Sequence, residues 1–251
     1  MAAIREIILT HFIACLFKID TGLLSMKKLY LHIGTFKTGT TSIQKFLFDN
    51  RNFLKENDIL YPETGNLPEN GHVFLPGSIL EKCNYKVPAW LDIDKKSTFY
   101  WSELLREIHQ SKCNKIIISN EHFCNFAQDK CCSDLVLLIK EYLSEFDVRI
   151  IFYLRRIDSY FLSWFNQIVK MGKHSIPFEQ YYNNFLKSES FHLFQSKILD
   201  IWSKYFGENN ISVYSFDEIR KKNCSIVQHF MNIVLKTDVK PDYSQDITNQ
   251  S

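Results

Sequence analysis

The sequence predicts an α/β fold in three layers, a mainly parallel central sheet flanked by helices, on three observations. Short apolar, β-branched runs recur near residues 29–33, 115–119, 149–154 and 211–216. Stretches with helical spacing separate them, the alternation that builds parallel sheets through crossover connections. The chain has 251 residues, 45% apolar and 15% aromatic, enough to bury the sizeable core of one domain.

The first run, Leu29 to Ile33, lies between lysines and Gly34 and suits a central strand. A helix follows, with Ile43, Phe46, Leu47 and Leu54 on one 3.6-period face. Between them lies Gly34-Thr35-Phe36-Lys37-Thr38-Gly39-Thr40-Thr41-Ser42. Its two glycines let the backbone wrap so that successive N–H groups point inward, and the helix dipole adds to their attraction for a phosphate. The predicted fold is therefore P-loop-like.

A nucleotide kinase would place Lys and then Ser/Thr directly after the second glycine, the hydroxyl holding magnesium. Here Thr40 takes the lysine's place, and the loop's lysine, Lys37, comes before Gly39. The later strands end in Ser119-Asn120-Glu121 and Leu154-Arg155-Arg156, without the aspartate that would hold the metal. The expectation is a cradle that needs no metal.

Farther along, Asp58 to Pro62 reads as a short extended piece, and Glu63 to Gly71 as a loop rich in Pro, Gly and Asn. His72 opens a mildly apolar segment. Residues 82–98 form a connecting loop, and Thr98 to Ser111 a helix buried through Trp101, Leu104, Leu105 and Ile108. Lys115 to Ser119 is a buried strand that delivers Asn120, Glu121 and His122 to its carboxyl end, the edge where ligands bind in open α/β sheets. Leu135 to Phe146 is helical by pattern. Ile150 to Leu154 is a strand, and a helix follows from about Asp158. Arg155 leaves that strand and Ser163 lies in the helix, so a guanidinium and a hydroxyl could clasp one phosphate. Arg156 reads as a surface residue, although a one-residue shift of register would exchange the two arginines. Ile176 to Leu186, Phe191 to Tyr205 and Cys224 to Leu235 are helical by pattern, and Asn210 to Phe216 is the last strand.

The string KTGTTS, set between strand and helix, resembles the 5′-phosphosulfate loop of sulfotransferases that use 3′-phosphoadenylyl sulfate (PAPS). It is most similar to bacterial members opening with LHIGxxKTGTTSIQ. The resemblance covers most of residues 27–235 and implies sulfuryl transfer from PAPS to a hydroxyl or amine, leaving adenosine 3′,5′-bisphosphate. It implies that Lys37 neutralises the departing phosphate oxygen. Backbone N–H groups of Thr38, Gly39 and Thr40, with the hydroxyls of Thr40 and Thr41 and with Ser42, would hold the 5′-phosphate. Arg155 and Ser163 would select the 3′-phosphate, at the opposite end from the Lys37 loop. The base that takes the acceptor's proton is Glu121, His122 or His72. Glu121 is preferred because it follows a buried strand and because carbohydrate sulfotransferases often use a glutamate, but it could instead orient Lys37 or cap a helix. The acceptor implied is a carbohydrate or glycolipid.

Two other readings stay open at this level: a metal-dependent P-loop nucleotide or sugar kinase, and a non-catalytic nucleotide-binding protein. A net charge of +2 is too mild to imply nucleic acid as a partner. Cys15, Cys83, Cys113, Cys124, Cys131, Cys132 and Cys224 show no paired zinc spacing and read as reduced thiols of a cytoplasmic protein. The apolar run from Ile7 to Phe17 is too short to span a bilayer. Residues 1–25 are expected to be an upstream extension, with a weak membrane-surface helix as the minority reading. The domain is expected over 26–251, cut short at its C-terminus because related chains continue with further helices.

Overall fold

The computed structural model describes residues 26–83, 91–128, 130–172, 177–187 and 195–236. In chain order come β1 (Lys28–His32), α1 (Thr40–Asp49), α2 (Arg51–Glu56), β2 (Ile59–Leu60), α3 (Phe74–Leu80) and α4 (Ser97–Gln110). Next are β3 (Lys115–Ser119), a 3-10 segment Glu121–Ala127, α5 (Lys130–Asp134), α6 (Val136–Tyr142) and β4 (Asp147–Leu154). The rest is α7 (Ile157–Lys170), α8 (Phe178–Lys187), α9 (Gln195–Phe206), β5 (Ile211–Ser215), α10 (Phe216–Lys221) and α11 (Ile226–Leu235). The expected upstream extension and the tail from Thr237 lie outside the described residues.

The strands form one sheet in the order β2-β3-β1-β4-β5, and every pairing is parallel. Central β1 pairs Leu31 with Ile118 of β3 on one side and with Ile150 of β4 on the other. Side chains alternate across the pleat, which gives each face its own core. Leu29, Leu31 and Ile33 point into a layer with Ile116, Ile118, Phe152, Trp101 and Trp202. Tyr30 points the other way, with Ile117, Ile151, Tyr153, Ile43, Leu47 and Phe230. The chain passes from one side of β1 to the other between β3 and β4. That is a topological switch point, and it opens a crevice beyond the carboxyl ends of these strands.

Several expected elements differ in detail. The extended piece at 58–62 is the edge strand β2, paired with Lys115 and Ile116. The first helix breaks at Asn50, whose side-chain amide donates to the Phe46 carbonyl at 2.8 Å and competes with the backbone ladder. The helix expected over 135–146 is the shorter α6, Val136–Tyr142, and a separate short helix, α5, precedes it across Leu135. Cys113, Cys124, Cys132 and Cys224 are free thiols, but Cys131 is disulfide-bonded, which corrects the reduced-thiol reading at that residue. No helix among the described residues is long and apolar enough to cross a membrane.

Candidate active site

The loop after β1 begins as a continuation of the sheet. Thr35 N–H donates to the Tyr153 carbonyl at 3.3 Å, and Tyr153 N–H to the Gly34 carbonyl at 2.9 Å. The chain then turns, and two hydroxyls knit it closed: Thr38 Oγ1 and Thr40 Oγ1 donate to the Thr35 carbonyl at 2.6 and 3.2 Å. Gly39 is the N-cap of α1, with φ +81°. A Cβ there would stand 2.9 Å from Ile226 Cγ2 of α11, so both backbone and packing demand glycine. The first ladder bond of α1 runs from Ile43 N–H to the Gly39 carbonyl. By helix geometry the N–H groups of Thr40, Thr41 and Ser42 then have no acceptor inside the helix, which suits an anion.

These contacts revise one expected role. The Thr40 side chain is buried and its hydroxyl proton is committed to the loop's own carbonyl, so it braces the cradle and does not donate to a ligand. Thr41 is exposed and Ser42 half-buried at the mouth of the helix.

Lys37 and Arg155 meet across the crevice. Arg155 follows β4, and its Nη1 donates to the Lys37 carbonyl at 2.7 Å. Its backbone is clamped by Gln195, whose Nε2 donates to the Arg155 carbonyl at 3.1 Å. Arg155 Nε is buried without a hydrogen-bond partner among the described residues, and an orphaned guanidinium N–H costs free energy until an anion meets it. The expected separation between Arg155 and the Lys37 loop is therefore not observed, because the positive φ of Lys37, 62°, presents its carbonyl to the guanidinium. Lys37 Nζ donates to Gln167 Oε1 of α7 at 3.1 Å. Burial holds the Lys37 ammonium below the usual lysine range, the positive charges of Arg155 and Lys170 add to this, and Glu121 opposes it. Ser163 is half-buried on α7, one helical turn before Gln167 and on the same face. Arg156 is exposed and pairs with Asp158 at 2.7 Å, the surface role expected of it.

The three candidate bases part company. Glu121 opens the 3-10 segment after β3, with its Cα 3.1 Å from where a Cβ on Gly34 would lie, so it borders the loop itself. Burial raises the Glu121 carboxyl above the usual range; its own backbone N–H, Gln44 and Lys37 hold it back. The cap of that segment is Asn120, whose side chain accepts from His122 N–H at 2.8 Å. His122 packs edge-on against Phe36, and its Nδ1 lies 3.1 Å from the Asn125 amide nitrogen. With that amide donating, the ring proton sits on Nε2; burial depresses its pKa to about 4. His72 is fully buried. Its Nδ1 accepts from Ser119 N–H at 3.2 Å, so Nε2 carries the proton and donates to the Pro62 carbonyl at 3.1 Å. Both nitrogens are spent on the backbone, which removes His72 from the acceptor side and makes it a strut between the 63–72 loop and β3.

Sequence reasoning did not single out Gln44, Gln167 or Gln195, because a glutamine carries no charge and breaks no pattern. The one available signal was spacing: Gln167 falls four residues after Ser163, and Gln44 closes the KTGTTSIQ string. Among the described residues no group of three or more His, Cys, Asp or Glu side chains could hold a metal ion.

The fold is that of an α/β protein with the Gly34–Ser42 loop at the carboxyl edge of a parallel sheet. Among solved structures it resembles the sulfotransferase from Alicyclobacillus acidocaldarius, with TM-score 0.51 and 14% identity over 88% of this chain and 86% of that one. At that identity the likeness establishes the fold: the chain is built as a sulfotransferase is. No protein-family model matches the chain, and none of the curated proteins does.

Proposed function

We propose that the protein is a sulfotransferase that moves a sulfuryl group from PAPS to a hydroxyl or amine of a carbohydrate or glycolipid, releasing adenosine 3′,5′-bisphosphate. The observation that carries this reading is the meeting of one ammonium, one guanidinium with an N–H unpaired among the described residues, and one carboxylate on the loops after β1, β4 and β3. Glu121 takes the proton from the attacking oxygen or nitrogen as its bond to sulfur forms. The bond from sulfur to the 5′-phosphate oxygen breaks, and Lys37 faces the charge left on that oxygen. Catalysis of this kind is positioning plus charge stabilisation. The first-turn N–H groups of α1 hold the 5′-phosphate, and Arg155 Nε with Ser163 addresses the 3′-phosphate. The sugar or glycolipid class of acceptor rests on the resemblance of the KTGTTSIQ string alone.

Calorimetry tests the donor site directly. Adenosine 3′,5′-bisphosphate is expected to bind equally well with and without EDTA. A strict magnesium requirement with ATP preferred would return the protein to the kinases, and tight bisphosphate binding with no transfer to any acceptor would leave a nucleotide-binding protein.

The 3′-phosphate assignment has its own test, affinity for the bisphosphate against adenosine 5′-monophosphate. Arg155→Ala should cost about 2–4 kcal/mol with the bisphosphate and less with the monophosphate, where only the brace on the Lys37 carbonyl is lost. Ser163→Ala should cost about 1 kcal/mol, with the bisphosphate alone. The double variant should lose less than the sum, because both groups share one phosphate. Equal losses for both nucleotides in Arg155→Ala would reduce Arg155 to a loop brace.

A further inference from the structure

Gln44 lies on α1 with its side chain fully buried, on the side of the loop that faces β3. Its Nε2 donates to Glu121 Oε2 at 3.0 Å, while its Oε1 is buried and has no partner among the described residues. The amide is closely packed on its Nε2 side, where the neighbour is a glycine without a side chain. Gly71 packs so closely that a Cβ there would stand 2.8 Å from Gln44 Nε2 and 2.3 Å from the Ser119 carbonyl. His72 N–H fixes that same carbonyl at 2.9 Å. A buried amide with one end bonded to a carboxylate and the other end idle is costly unless the idle end has a use.

We propose that Gln44 is a positioning residue that holds Glu121 in both of its protonation states. When Glu121 is a carboxylate, Nε2 donates to it, as observed. When Glu121 has taken the acceptor's proton it becomes a donor, and a half-turn of the amide brings Oε1 round to accept from the new O–H. No atom leaves or enters; one hydrogen bond is exchanged for another of opposite sense, and the carboxyl stays where it was. This rests on the reading of Glu121 as the base.

The charges around Glu121 leave little else to do this. Lys37 acts on it from the loop, Tyr61 from beyond β2 and Cys124 from its own segment, where His122 is its chain neighbour. Burial raises the Tyr61 hydroxyl and the Cys124 thiol and lowers His122, so these three stay neutral and Lys37 is the charged neighbour. Lys37 can answer only the carboxylate; the Gln44 carbonyl oxygen is a buried acceptor with no partner among the described residues, on the amide that already meets the carboxyl.

The test reads the Glu121 carboxyl itself, in the nucleotide-free protein, by carbon-13 NMR of carboxyl-labelled glutamate with Glu121→Gln identifying the signal. In Gln44→Met, which keeps length and loses the amide, the Glu121 pKa is expected to rise, and turnover near neutrality to fall about tenfold, with KM for PAPS unchanged. Gln44→Glu, nearly the same shape, should raise that pKa further because two carboxyls would then share the site; it serves if the methionine variant does not fold. An unchanged Glu121 pKa in the folded variant overturns the inference. A raised pKa with an unmoved acid limb of the kcat profile supports the contact but sinks Glu121 as the base, so the two failures are distinguishable.

Discussion

Lys37→Ala is expected to lower turnover about 100- to 1,000-fold while weakening adenosine 3′,5′-bisphosphate binding far less. In the proposed reaction the ammonium would face an oxygen whose charge grows as the bond to sulfur breaks, so its interaction would be stronger in the transition state than in the ground state. The architecture around it supports this split. The Lys37 carbonyl is held by Arg155 and its Nζ by Gln167, and removing the side chain leaves the Arg155 contact to the backbone in place. Nucleotide binding should therefore survive. The pH dependence follows from the direction of its shift. Lys37 must be protonated to act, and burial with two nearby positive charges lowers its pKa, so the basic limb of the profile should fall below the range of a free lysine. Single-turnover rates at saturating PAPS, with binding measured separately, decide the matter. A loss of affinity with turnover intact would give Lys37 a ground-state role only.

Glu121→Gln is expected to cost about 10²- to 10⁴-fold in turnover with the fold and nucleotide affinity kept, the usual range for a lost general base. Glutamine preserves the shape and can still meet Gln44, but it cannot take a proton. The base must be ionised to act, and burial raises its pKa, so the acid limb should lie above the range of an exposed glutamate; lowering the pH through the raised pKa removes activity. His122→Ala is the comparison. With Asn125 donating to its Nδ1, the ring offers no free lone pair, and the variant should retain most activity. If His122→Ala is the dead variant and Glu121→Gln the live one, the base is His122.

The strands and the loop were legible because their signals are local. An apolar β-branched run such as Lys115 to Ser119 is a strand wherever it is buried, and Gly39 at the turn into α1 is demanded by its own φ. The pairing of β2 was not legible, since two residues of extended chain, Ile59 and Leu60, acquire their identity only from β3. His72 shows the limit most clearly. A histidine at the start of an apolar segment after a loop reads equally as a reactive group or as structure, and only the two backbone partners of its ring nitrogens decide. The opposite holds for Gln44 and Gln167. Their spacing was visible, but an uncharged amide has no chemistry until a carboxylate or an ammonium from a distant part of the chain is brought against it.

The place of β1 in the sheet bears on how the cradle is kept ready. β1 has a strand on either side and a core above and below, whereas β5 pairs along one edge only and leaves Val213 41% exposed. Local openings begin where contacts are few, so the edge at β5 should breathe long before the middle does, and β1 should exchange its amide hydrogens only when the whole sheet gives way. The Gly34–Ser42 loop grows from the end of that strand and is stitched to β4 by its first residues. Its shape is thus settled when the chain folds, and less of the free energy of the proposed nucleotide binding would be consumed in ordering it.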